Sequence, residues 1–314
     1  MKVVTSMSGN DSRRRMPEKL LTISAVERET GLSKDTLRVW ERRYGFPAPG
    51  RDANGERTYG RDEVRKLIVI KRLMDRGARP GKVVRLSLAE LMVRTESGER
   101  AASDPPELIK LVALVAAHDL AGLRQCLDQS LLQQGLERFL LDTVAPLNLM
   151  IGEAWMRGEL QVFEEHHYTE VMRSLLRTVA DSISHPPGAP RVLLTTLPDE
   201  QHVLGLLMAE CVLRMQGATC LALGPQTPAS EIVRAVEAQR VDVVGLSFSP
   251  AYPVHTAVDT LAALRGMLPA RVAIWVGGSS PALFRRRLDG IQAVRDLAVI
   301  PDAVANWRNR NPER

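Results

Sequence analysis

The chain has 314 residues, of which 45% are apolar, enough for two or three domains with cores of their own. No uninterrupted apolar run of about 18 residues occurs, and the start carries Arg13, Arg14 and Arg15 with no apolar segment behind them, so the sequence predicts neither a membrane span nor a secretory signal and a cytoplasmic location. Cys126, Cys211 and Cys220 lie far apart without CxxC spacing, which argues against a disulfide framework or zinc cluster and for reduced, mostly buried thiols.

The net charge of +5 is unevenly spread. Residues 1–92 hold 21 Lys/Arg against 12 Asp/Glu, a net of +9, leaving 21 against 25, or −4, for residues 93–314. A basic end on an acidic remainder is the footprint of a phosphate-binding domain joined to a part with another task.

In chain order, residues 1–18 are polar and basic and predict a disordered arm. The next segment, 19–94, predicts a DNA-binding domain. Ser24-Ala25-Val26-Glu27 has the form of a capping box opening a short helix that Thr30-Gly31 closes. After a tight turn, Ser33 can cap a second helix to about Tyr44, with Leu37, Trp40 and Tyr44 on one face and Asp35, Arg38, Val39 and Arg42 on the other. Such a helix has an apolar face to dock and a polar face with arginines for guanine edges or phosphates. The Gly/Pro/Asn-rich stretch from Phe46 to Tyr59 reads as a wing, placing Arg57 and Tyr59 near phosphates, and another basic helix follows. The run from Ile23 to Tyr59, with Thr36-Leu37-Arg38-Val39-Trp40-Glu41-Arg42-Arg43-Tyr44 and Arg57-Thr58-Tyr59, resembles the MerR family over about seventy residues. The resemblance implies a winged helix-turn-helix contacting double-stranded DNA through Lys34, Arg38, Arg42, Arg43, Arg57 and Tyr59. Many members dimerise through one long helix after the winged domain, but Pro80, Gly81, Gly98, Pro105 and Pro106 interrupt the heptads such a coil needs, so self-association is expected from the C-terminal half.

A linker spans Thr95–Pro106, and residues 107–185 then carry apolar positions at intervals of three and four, predicting a four-helix bundle. A second linker, His185-Pro186-Pro187-Gly188-Ala189-Pro190, precedes short β-rich runs at Val192–Thr196, Cys220–Leu223, Val241–Ser247 and Val272–Val276, with a weaker one near Leu297–Ile300. With helices between them, residues 190–314 predict a doubly wound, Rossmann-like α/β domain on a parallel sheet. The whole is a multidomain α and α/β chain.

The first of these strands ends in Glu200-x-His202-x-x-Gly205, where open α/β sheets place ligands. His202 can offer a neutral ring nitrogen to a metal, and Glu200 can orient it. Neighbouring strand ends carry Ser247-x-Ser249 and Gly277-Gly278, while neither a dinucleotide-binding GxGxxG nor a P-loop is present. This set is similar to the cobalamin-binding domains of corrinoid proteins, with Glu200 and Ser249 standing where Asp and Leu are usual. The resemblance implies His202 as the cobalt ligand and the cofactor's tail among Gly205, Ser247, Ser249, Gly277 and Gly278. Trp155, then nine residues, then Glu165-His166 matches the cap of the MerR-like cobalamin photoreceptors of the CarH and LitR type. It implies that Trp155, Glu165 and His166 cover the upper face of adenosylcobalamin. Those relatives usually carry histidine after the cap tryptophan; here Met156 stands there, a soft thioether poorly suited to trivalent cobalt.

The expectation is therefore a light-responsive DNA-binding regulator, not an enzyme, that represses as a homo-oligomer, a tetramer by resemblance. A corrinoid enzyme or carrier subunit is the alternative, which would leave the basic winged helix unexplained. A MerR-like regulator of a different ligand is the third.

Overall fold

The computed structural model describes residues 20–75, 78–91, 105–184, 188–249, 252–280, 283–285 and 288–313. The expected arm 1–18, most of the first linker and His185–Pro187 of the second lie outside these residues. The chain divides into two compact units, Met1–Lys71 and Arg72–Arg314.

In the N-terminal unit β1 (Leu21–Thr22) leads into α1 (Ile23–Thr30), a turn, and α2 (Lys34–Tyr44). Thr22, not Ser24, caps α1: its side chain accepts the Ala25 N–H, so the helix begins before the expected capping box. Gly31 and Gly45 close α1 and α2 in the left-handed conformation, where a side chain would be strained. Ser33 caps α2 by accepting the Thr36 N–H at 3.2 Å. The wing pairs β2 (Gly50–Arg51) and β1 antiparallel to the two sides of β3 (Arg57–Tyr59), in the order β1-β3-β2. α3 (Arg61–Asp75) follows, and Val26, Leu37, Trp40, Tyr59, Leu67 and Ile70 form a buried core. Past the boundary at Lys71, and so in the second unit, a short α4 (Pro80–Val83) carries Pro at its start.

The C-terminal unit contains α5 (Pro106–Ala116), α6 (Leu120–Gln134), α7 (Leu136–Arg138), a π-helical turn Phe139–Val144, α8 (Ala145–Arg157) and α9 (Val162–Ser182). The α/β part follows as β4 (Arg191–Thr195), α10 (Leu204–Met215), β5 (Thr219–Gly224), α11 (Ala229–Gln239), β6 (Val243–Phe248), α12 (Val254–Met267), β7 (Ala273–Gly278), β8 (Ile291–Ala293) and α13 (Ile300–Arg310). All pairings are parallel, in the order β5-β4-β6-β7-β8. The weak strand expected near Leu297–Ile300 is instead a 3-10 turn whose Asp296 side chain accepts the Ala298 N–H; the last strand is Ile291–Ala293.

One apolar cluster runs from Leu108, Leu140 and Tyr168 of the bundle through Leu176 to Leu207 and Cys211 of α10 and Trp307 of α13. The Cys211 thiol reaches the Leu176 carbonyl (3.6 Å), and Asn148, which accepts the Tyr168 hydroxyl at 2.5 Å, extends its amide to the Met208 sulfur (3.9 Å). Packing of α9 on α10 thus joins the bundle to the α/β part. A second core, with Val244, Leu246, Ile274 and Leu261, fills the opposite face of the sheet.

Candidate cofactor site and nucleic-acid interface

On α2 the apolar face buries Leu37 and Trp40, leaving Arg38, Val39, Arg42 and Arg43 exposed. Arg38 pairs with Asp35 at 3.3 Å, Arg43 stacks beside Tyr44, and the half-exposed Lys34 lies 3.7 Å from Glu27. Arg42 has no hydrogen-bond or ion-pair partner among the described residues, so a full positive charge projects from the exposed face.

Two wing residues differ from expectation. Tyr59 is 0% exposed, because strand alternation turns it into the core beside β1 and α1, so it is not a phosphate contact; its hydroxyl lacks a partner among the described residues. Arg57 is engaged by Glu41 of α2 through Nε (2.8 Å) and Nη2 (3.3 Å), a forked pair that ties the wing to α2. That bond raises the Arg57 pKa and keeps the guanidinium from reaching outward.

At the carboxyl end of β4, Glu200 is 1% exposed. Its Oε1 accepts both the His202 backbone N–H (3.0 Å) and an Nδ1–H bond (2.6 Å), while Oε2 accepts the Ser249 N–H (2.7 Å) at the end of β6. Burial alone pushes this carboxyl up, but the hydrogen bonds from His202 and Ser249 prevail and hold it below the usual carboxylate range. The carboxylate is thus the ionised acceptor for Nδ1–H, which puts the imidazole lone pair on Nε2, and the His202 side chain is 67% exposed. Thr196 braces the loop by donating to the Glu200 carbonyl and accepting the Gln226 N–H.

Gly205 and Ser247 come together: a Cβ on Gly205 would lie 3.1 Å from Ser247 Oγ. Ser249 Oγ is buried and has no hydrogen-bond partner among the described residues. Gly277 and Gly278 pair with Ser247 and Phe248, but a Cβ on Gly278, at φ +104°, would fall 2.1 Å from the Phe248 carbonyl oxygen. The space beside Gly278 is therefore filled by the protein's own backbone, and its glycine is required by the β6–β7 approach itself. At Gly277 the neighbour is the Val294 carbonyl, 3.2 Å from such a Cβ.

Trp155 sits half-buried on the bundle core. Glu165 accepts from Thr169 (2.9 Å) and lies 3.7 Å from the exposed His166. The Met156 side chain lies outside what the structure describes. A cavity of about 190 Å³ separates Thr169 and Arg173 of α9 from Gln201 and Val203, which flank His202. The composition gave no sign of Glu164, which holds this end of α9. It is buried, accepts the Gln161 N–H (2.5 Å) and pairs with His118 Nε2 (2.6 Å); the Q-x-x-E spacing was the available signal.

The fold is that of a helix-turn-helix regulator whose second half is of the corrinoid-binding kind. Residues 21–89 match the family model described as MerR HTH family regulatory protein, and residues 109–179 and 190–300 match two models each described as B12 binding domain. The chain is 32% identical to the HTH-type transcriptional repressor CarH of Myxococcus xanthus, covering 84% of this chain and 91% of that protein. It is 31% identical to the repressor CarA of the same organism, over 92% of this chain and 99% of that one. The chain belongs to this family of MerR-type regulators with B12-binding domains, whose curated relatives here are repressors rather than enzymes. The monomethylamine corrinoid protein of Methanosarcina barkeri shares the fold of the C-terminal part, with a TM-score of 0.51 at 13% identity over 63% of this chain and 96% of that one. Among the described residues no helix is long and apolar enough to cross a membrane.

Proposed function

We propose that the chain is a cytoplasmic transcriptional repressor that binds operator DNA through its winged helix, and that adenosylcobalamin sets its oligomeric state and DNA affinity, with light as the signal. The observation that carries this reading is the Glu200 bridge. A nearly fully buried carboxylate that fixes one ring nitrogen of an exposed histidine and braces the next strand end is the arrangement a metal-ligating histidine requires. A surface histidine needs none of it.

The functional division in this reading is 19–94 for DNA, 107–185 for the cap and 190–314 for the cofactor. His202 donates Nε2 to cobalt. Gly205 and Ser247 leave room at the strand ends for the cofactor's tail, with Gly277 beside them, and Ser249 Oγ supplies a hydrogen bond that it lacks among the described residues. Trp155, Glu165 and His166 cover the upper face. When bound, adenosylcobalamin supplies a cobalt–carbon bond that light breaks. Met156, a soft thioether, would offer trivalent cobalt a poor ligand, whereas the imidazoles of His166 and His167 would suit it better. Lys34, Arg38, Arg42 and Arg43 face DNA, and a homo-oligomer, a tetramer in this reading, multiplies their effect through avidity. That both relatives are transcriptional repressors supports the sign of regulation.

The test is the absorption spectrum and operator gel retention of the full chain with adenosylcobalamin, before and after green light. The expected result is a histidine-ligated, base-off spectrum that changes on illumination while operator retention falls. A spectrum identical to the free cofactor overturns the cofactor assignment, and retention indifferent to photolysis overturns light control.

A further inference from the structure

The sheet has a second concavity, at the opposite end from His202. Where β4, β5 and β6 begin, a cavity of about 570 Å³ is lined by Arg191, Arg240 and Arg271 together with Thr219 and Asp242. Its volume falls in the range of small-molecule sites. Three arginines line it, and among the described residues the single acid in the lining is engaged from within: Asp242 is buried and accepts the Arg191 backbone N–H at 2.9 Å. Arg191 spends its Nε on the Gln239 carbonyl (3.0 Å), which holds it in place at the start of β4. Arg240 and Arg271 are exposed, and neither guanidinium has a hydrogen-bond or ion-pair partner among the described residues.

Like charges gathered in one hollow repel one another, and residues 93–314 as a whole carry more acids than bases, so this concentration of positive charge departs from its surroundings. We propose that the hollow is a binding site for a small phosphorylated anion, with Arg240 and Arg271 forking its phosphate oxygens and Arg191 completing the charge. Guanidinium groups match phosphate in planar, two-point geometry, and a concave seat favours a small molecule over the extended surface that a duplex presents.

The probe is inorganic pyrophosphate titrated calorimetrically into the full chain in low-chloride buffer, compared with the R240Q/R271Q variant and each single variant. Both positions are exposed, so the fold should survive, and an unchanged far-ultraviolet spectrum checks that. The expected result is that the double variant loses one binding event, its affinity falling about tenfold or more, with each single variant in between. Pyrophosphate binding that is the same in wild type and double variant, as it would be if the basic N-terminal unit were the binding site, overturns the proposal. So does a variant that keeps pyrophosphate but loses a glutamate-rich peptide or duplex DNA. The readout needs no cobalamin, so it stands or falls separately from the strand-end site.

Discussion

The wing and the strand end of β4 each set a carboxylate against a basic side chain, to opposite effect. In the wing, Glu41 and Arg57 are both about 28% exposed, and the pair withdraws a cation from the surface to lock β3 onto α2. At β4 the carboxylate is buried and the histidine projects into solvent, so the pair aims a side chain outward. The pairing of an acid with a base is the same in both, across 16 positions in the wing and across two at β4; burial of the acid decides whether the base is consumed or presented. The sharpest way to break this contrast is His202→Ala, which is expected to abolish base-off cobalamin capture, read from the absorption spectrum. An unaltered spectrum would place the ligand elsewhere. Next comes Glu200→Ala, expected to weaken cobalamin binding about 10–100-fold with the ring still present. An affinity equal to wild type would mean that the bridge positions nothing. Because the Glu200 carboxyl sits below its ordinary range when folded, its stabilising contribution is complete above the unfolded carboxylate pKa and is lost as pH falls through the lowered folded value. Acid titration of wild type against Glu200→Gln should show a stability gap that closes in that window.

On the wing side the effects are smaller. Arg42→Ala should cost about 1–3 kcal/mol in operator affinity with cobalamin binding intact, measured by gel retention. Unchanged affinity would remove α2 from the groove. The Glu41–Arg57 pair should show a coupling energy of about 0.2–1 kcal/mol in a double-mutant cycle of thermal stability, since it is too solvated for more. The smallest change is Tyr59→Phe: removing a hydroxyl that has no partner among the described residues should leave stability and operator binding within about 0.5 kcal/mol of wild type. A large loss of DNA affinity would restore Tyr59 as a contact.

The amphipathic faces of α2 and α9 and the short β runs were legible because period and residue type reflect burial directly. Leu37, Trp40 and Val244 could be placed from pattern alone. Tyr59 was misread because the same alternation that makes a wing strand also decides which side of it faces the core, and a three-residue strand gives too little pattern to choose. Glu200 and His202 could be identified by position at a strand end. That Glu200 also reaches Ser249 could not, since the contact spans 49 positions and depends on β6 lying beside β4. The strand near Leu297 failed because a short apolar run suits a 3-10 turn entering a helix as well as it suits a strand.

The apolar cluster shared by α9, α10 and α13 means that the boundary between helical and α/β segments, plain in the chain, is not a boundary in cooperativity. Cutting after residue 184 would bare Leu207 and Cys211 on one fragment and Leu176 on the other, and neither would keep a complete interior. Hydrogen exchange in these two segments should therefore report one opening event rather than two. A perturbation at the α8–α9 corner is felt at the root of the β4 loop without any dedicated pathway, because both belong to the same block that melts.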